Sequence, residues 1–189
     1  INHIMGKNIF CILAGLFLSL SAFAQSFTVE GINYNITSDS TVEVTSGGSY
    51  SGDITIPYSV GYNDRQYTVT SIGNSAFYRC SGLISITLSD GVTSIEYGAF
   101  CACDHLSSIT FPDGLTSIGN FAFQTCLSLT SITLPIGLTS IGDGTFAYCN
   151  YLTAIDIPDG VTSIGNNAFC FCTNLTSITI PNGLTSIGD

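Results

Sequence analysis

The sequence predicts a β-rich solenoid of 23-residue repeats, joined through short helical or 3₁₀ turns and headed by an N-terminal β cap. Three observations predict it. Phe77, Phe100, Phe123, Phe146 and Phe169 recur every 23 residues without an insertion, which is the mark of a repeat architecture. Each Phe is followed by a cysteine three positions on (Cys80, Cys103, Cys126, Cys149, Cys172) and a leucine six positions on (Leu83, Leu106, Leu129, Leu152, Leu175). Then Ile86, Ile109, Ile132, Ile155 and Ile178, with Leu88, Phe111, Leu134, Ile157 and Ile180 two places further, alternate as a strand with one buried face. No single repeat can bury these positions alone, so neighbouring repeats must stack into one apolar column.

The elements follow in chain order. Residues 1–24 read as a signal peptide with upstream residues 1–4 before Met5. Lys7 precedes the apolar run Ile9 to Phe23, which ends in Ala22-Phe23-Ala24, and that run is shorter than the roughly 20 residues needed to span a bilayer. Residues 25–68 form the β cap and a degenerate first coil. Phe27-Thr28-Val29, Ile32 to Ile36 and Val42-Glu43-Val44 alternate as strands, and Ile54-Thr55-Ile56-Pro57 matches the repeat strand. Val60 and Val69 both fit the place of Val92, leaving Gly61 to Thr68 as an inserted hairpin with Asn63-Asp64 at its tip. Residues 69–189 are the repeats proper. Pro112-Asp113-Gly114, Pro158-Asp159-Gly160 and Pro181-Asn182-Gly183 close each main strand in a tight turn. A second short strand follows, of the type Leu115 to Ile118, and usually a glycine. The segment from there to the cysteine is too short for an independent helix and reads as a single helical or 3₁₀ turn. Asp189 falls partway through a repeat, before its Phe and Cys, so a truncated chain is expected.

The repeated pattern Leu-x-x-Ile-x-Leu-Pro-x-Gly-Val-Thr-Ser-Ile-Gly-x-x-Ala-Phe-x-x-Cys resembles the BspA-like, or treponemal-type, leucine-rich repeats. The resemblance covers residues 69–189, and Phe27 to Tyr34 is similar to the lead-in of secreted members. It implies a leucine-rich-repeat solenoid on a bacterial cell surface or secreted, in a family with some members linked to adhesion. It carries no residue-level site. Glu96 in place of the usual Gly, Thr145 in place of Ala and Ile136 in place of Asp are the departures.

Composition narrows the function. With 45% hydrophobic and 8% charged residues the chain has an ordered core rather than a disordered tail. Removing the leader also removes Lys7, so Arg65 and Arg79 alone face 13 acids and two against 13 leave −11. Nucleic acid is excluded as a partner, because counterion release needs a basic patch. No transmembrane span is expected after the leader. His105 is the single histidine beyond it, and no G-x-S-x-G elbow, phosphate loop or lysine remains, so an enzyme is not expected. Cys101-Ala102-Cys103-Asp104-His105 has thiolate and imidazole types that suit zinc, but Cys103 belongs to the buried ladder and no Cys or His ligand from another repeat stands near. Neither metal nor cofactor is expected.

Of the seven cysteines left after the leader, five stack one per coil. Side chains that are parallel and in register point the same way and do not reach a disulfide dihedral, so they read as buried free thiols. Cys101 and Cys170 break the ladder and are the candidate reactive thiols.

What remains for function is surface. The outward strand positions form ladders of Ser85, Ser108, Ser131, Ala154 and Ser177 beside Thr87, Thr110, Thr133, Asp156 and Thr179. Tyr78, Arg79, Tyr97, Asp104, His105, Phe121, Tyr148 and Tyr151 on the variable turns, with Asp156 on the strand face, are the candidate contact surface. Exposed aromatics of this type anchor partners. These features predict an adhesin-like binding protein for host matrix or cell-surface molecules. A carbohydrate-capturing component, or a spacer for a further module, is the alternative.

Overall fold

The computed structural model describes residues 25–189; the signal peptide read over residues 1–24 lies outside the described residues. The cap comes first. Strands β1 (Ser26–Val29), β2 (Ile32–Ile36) and β3 (Thr41–Thr45) pair as an antiparallel meander. Its buried face sets Tyr34, Val42 and Val44 over the end of the column. Strand β4 (Ser51–Ile56) and the hairpin β5 (Ser59–Tyr62)–β6 (Arg65–Ile72) complete the first coil. Asn63 and Asp64, with φ of 49° and 58°, form the hairpin tip, as the left-handed turns favoured between two strands require. The register Ser71↔Ser94 and Ile72↔Ile95 puts Val69, not Val60, in the place of Val92.

From there the chain is a solenoid with two parallel ladders. The main ladder runs through β4, β7 (Gly82–Leu88) and β9 (Ser108–Thr110), then β11 (Ser131–Thr133), β13 (Ala154–Asp156) and β15 (Ser177–Thr179). The second runs through β3, β6, β8 (Ser94–Ile95) and β10 (Ser117–Ile118), then β12 (Ser140–Ile141), β14 (Ser163–Ile164) and β16 (Ser186–Ile187). From β6 and β7 onward pairing is in 23-residue register, as in Ile132↔Ile155 and Ile155↔Ile178, whereas β3–β6 and β4–β7 are offset by longer spans and each carries a register shift.

No helix occurs among the described residues, and the segment expected to make a helical turn makes chained β-turns instead. The backbone angles give the reason. Ser75, Gly98, Phe121, Gly144 and Asn167 are left-handed, and four positions on so are Arg79, Ala102, Thr125, Tyr148 and Phe171. A left-handed residue every fourth position cannot continue a right-handed helix. The amides alternate accordingly. Those of Ser75, Phe77 and Arg79 donate to Tyr97, Ala99 and Cys101 of the next coil, while those of Ala76, Tyr78 and Cys80 donate three residues back. Every amide N–H from Ser75 to Cys80 is thus satisfied without a helix.

Inside, the Phe rings stack in one file. Phe77–Phe100, Phe100–Phe123, Phe123–Phe146 and Phe146–Phe169 have centroids 5.1, 5.3, 5.6 and 5.7 Å apart and planes within 10°. Tyr50 heads the file at 4.7 Å from Phe77. Its hydroxyl accepts from the Asn33 amide and donates to the Thr45 carbonyl, tying the column to the cap. Beside the rings the cysteines form a second file. The thiols of Cys103, Cys126, Cys149 and Cys172 donate to the carbonyls of Phe77, Phe100, Phe123 and Phe146 at 3.0–3.3 Å. All seven described cysteines are free thiols. Cysteine here is a small apolar filler with a weak donor that reaches the preceding coil.

Close approach of coils fixes the glycine that follows the second strand. A Cβ on Gly165 would sit 2.5 Å from the Asp143 amide nitrogen, and one on Gly119 2.8 Å from that of Tyr97. Just beyond, Asn120, Asp143 and Asn166 each accept the amide of the residue one coil on. The departures from the repeat are accommodated. Buried Thr145 donates its hydroxyl to the Gly142 carbonyl, Glu96 accepts from Ser94, and Ile136 is 80% exposed at a turn.

Both ladders break at one level, with no pairing between β9 and β11 or between β10 and β12. On the turn side of the same junction the amides of Phe121, Phe123 and Thr125 still donate to Asp143, Thr145 and Ala147. Phe111 stands just there, where the other coils carry Leu88, Leu134, Ile157 and Ile180. Its ring lies edge-on to Phe123 at 6.0 Å. A phenyl ring is bulkier than the aliphatic side chains of the other coils, and Phe111, unlike Leu88, Leu134 and Ile157, is only partly buried at this opened level.

Candidate binding surface

The nine candidate contact residues do not form one surface. Three of them, Tyr78, Arg79 and Tyr148, line one groove of about 470 Å³ on the turn face. The left-handed backbone at Arg79 and Tyr148 projects these side chains outward. The Arg79 guanidinium lies over the Tyr78 ring at 5.2 Å, a cation–π contact that holds the charge in place. At the other end Tyr148 stacks on Phe171 at 4.8 Å with planes 16° apart. Both rings are exposed.

The remaining candidates separate. Tyr97 and Phe121 meet edge-to-face at 5.5 Å, and the Phe121 ring covers Gly144 so closely that a Cβ there would clash with it. Phe121 is half-buried packing between coils rather than a free contact. His105, on the edge between turn face and strand face, is exposed and bonds through Nδ1 to the Ser81 carbonyl at 2.6 Å. The neighbouring Asp104 presents its carbonyl to Ser128, and Tyr151 is exposed at the His105 position two coils on. Asp156 is on the strand face, where Thr179 donates to its carboxylate at 2.7 Å. At the other end of that face Ser85 donates to Asp53 at 2.6 Å. Cys101, Ala102, Gln124, Thr125, Leu127 and Asn150 complete the lining, and Phe171 stands beside it as the stacking partner of Tyr148. The left-handed row at 79, 102, 125 and 148 runs through the lining, with Gln124 and Asn150 beside it, and side-chain identity in the sequence gives no signal for that row.

The reactive-thiol expectation is corrected at Cys101. Burial pushes its thiol up from the ordinary value, outweighing the opposing pull of Arg79, and Sγ donates to Gln124 Oε1 at 3.5 Å. A reactive cysteine needs the opposite shift. The ladder thiols are raised further. Burial takes Cys103 and Cys149 to about 12 and Cys126 well above its ordinary value.

Among the described residues no group of three or more His, Cys, Asp or Glu is placed to hold a metal, and no helix is long and apolar enough to cross a membrane. The repeats match the BspA type leucine rich repeat region, in 6 copies over residues 70–189. The chain belongs to that family. BspA-type repeats are generally binding scaffolds rather than catalysts. No curated protein matches the chain. Among solved structures, a Treponema pallidum leucine rich repeat protein is similar at 28% identity and a TM-score of 0.74, covering 87% of this chain and 82% of that one. A leucine rich cell surface protein from Faecalibacterium prausnitzii is similar at 31% identity and a TM-score of 0.78. It covers 86% of this chain, which spans 44% of that protein's length. The pneumococcal vaccine antigen PcpA, at 20% identity and a TM-score of 0.51, shares the fold alone.

Proposed function

We propose that this BspA-type protein is exported, is secreted or held at a bacterial cell surface, and works as an adhesin-like binding protein for a host-matrix or cell-surface molecule. The observation that carries the reading is the exposed main-ladder face. Its outward rows of Ser and Thr are regular and solvated, running from Asp53 at one end to Asp156 and Thr179 at the other. At about 4.8 Å per paired strand, the six strands of that ladder extend roughly 24 Å along the axis. That length suits a standard interface of about 800 Å² per partner. The aromatics on the turn face favour a second reading, capture of a carbohydrate.

The test is binding of the purified protein to immobilised host matrix proteins and to whole cells. Saturable binding that falls when Asp156 and its neighbours on the strand face are replaced supports the adhesin reading. An absence of saturable binding across such a panel removes it.

A further inference from the structure

The turn face carries a groove whose composition runs against the rest of the chain. Thirteen acids are spread along the sequence, yet no carboxylate lines this groove, and one of the two arginines outside the leader does. The groove has two ends and a low floor. Tyr78 and Arg79 stand at one end, the Tyr148–Phe171 stack at the other, three coils away. Between them the same row holds Ala102 and Thr125, so two coils of small side chains leave an open saddle. At about 5 Å per coil the ends are roughly 15 Å apart.

Two further observations point to a ligand. Asn150 lines the groove, and its Oδ1 is buried without a hydrogen-bond partner. An unpaired buried acceptor is costly, and an amide turned toward the saddle would let a ligand hydroxyl satisfy it. The backbone gives the second. The first left-handed row mixes Gly98, Gly144 and Asn167, which take this conformation with little strain, with Ser75 and Phe121. The second row uses Arg79, Ala102, Thr125, Tyr148 and Phe171, none of them glycine, asparagine or aspartate. Strained backbone beneath chosen side chains is a feature of binding sites.

We propose that this groove binds a short oligosaccharide carrying a carboxylate. A sugar ring lays its apolar face on Tyr148, and Tyr78 offers a second face at the far end. The carboxylate takes the Arg79 guanidinium through charge-assisted hydrogen bonds. Thr125, Asn150 and the free amide nitrogen of Gln124 meet hydroxyls along the saddle, while Gln124 Oε1 is already occupied by Cys101. Leu127 is the one aliphatic side chain larger than alanine in the lining, which disfavours a partner that needs an apolar anchor pocket. The inference rests on the reading of the chain as a binding protein and adds a site and a ligand class to it.

Calorimetry with the whole protein tests it, using tetragalacturonate, its methyl-esterified form, 3′-sialyllactose and lactose. The expected result is saturable binding of at least one carboxylated sugar, about tenfold or more tighter than its neutral counterpart. Arg79→Asn should abolish that preference. Tyr148→Asn should weaken the charged sugar about tenfold or more. Asparagine suits a left-handed backbone, so both variants should melt no lower than the parent, which separates loss of binding from loss of fold. Asp156→Ala, on the strand face, should leave sugar binding unchanged. Equal affinity for charged and neutral sugars, unchanged binding by Arg79→Asn, or binding of neither carboxylated sugar overturns the proposal. If host-matrix or cell capture persists while no sugar binds, this site fails and the adhesin reading stands.

Discussion

Raising the pH should loosen this protein through its buried thiols. Cys103 and Cys149 are enclosed in the column, and burial takes both from an ordinary 9.0 to about 12. A raised folded-state value means that the neutral thiol is favoured by folding. That stability is fully present below pH 9 and is lost progressively as pH climbs toward 12. At pH 10 the unfolded chain has ionised most of each thiol and the folded chain almost none. The loss is then about 1.4 kcal/mol per thiol and about 3 kcal/mol for the pair. Against a typical total of about 5–15 kcal/mol that is a large fraction. Tyr34, also pushed up to about 12, starts from 10.0 and contributes little until higher pH. Urea unfolding at pH 7 and pH 10, for the parent and for Cys103→Ala/Cys149→Ala, measures the effect. The double variant should start less stable but lose about 3 kcal/mol less between the two pH values. An equal loss in both proteins would refute the claim that these thiols are buried, neutral donors to the Phe77 and Phe123 carbonyls.

Other outcomes follow from packing. Gly165→Ala forces a Cβ to 2.5 Å from the Asp143 amide nitrogen and should cost about 1–3 kcal/mol, whereas Gly48→Ala meets nothing within 4 Å and should change the urea midpoint little. Tyr50→Phe removes both hydroxyl bonds that join the column to the cap and should cost about 1–2 kcal/mol by the same measurement. Phe111→Leu should close the opened junction. Amide exchange at Ser131–Thr133, expected to be faster than at Ala154–Asp156 in the parent, should then slow to match it.

The core was legible because its signals are local and repeated. Phe77, Cys80, Leu83, Ile86 and their copies every 23 residues identify the buried file, and in most coils those positions are enclosed. Copies near Asp189 are less covered: Ile178 is 38% exposed and Ile180 48%. The surface was less legible for a physical reason. Tyr78, Arg79, Tyr97, Phe121, Tyr148 and Tyr151 are alike in sequence as polar or aromatic turn residues. Whether each is exposed depends on the backbone angle beneath it and on the neighbouring coil. Phe121 turns onto Gly144, whereas Tyr148 turns outward onto Phe171.

The resemblance to BspA-like repeats was likewise readable from the pattern, and the match over residues 70–189 agrees with it. The helical turn was misread because its length suited one and the left-handed residues gave no warning. Arg79, Thr125, Tyr148 and Phe171 are not residues that favour that conformation. What imposes it is the neighbouring coil, which takes alternate amide bonds from this segment.

The sequence by itself determined the repeat length, the parallel register and the identity of the column, because a fixed period allows one stacking that buries every copy. Tertiary structure alone decided where that stacking opens and which turn residues share a groove. Phe111 reads as one more apolar residue until its ring meets Phe123. Arg79 and Tyr148, 69 positions apart, become the ends of one saddle only when the coils between them are wound. Distance along the chain says little about distance across a solenoid, where each turn of 23 residues advances only about 5 Å.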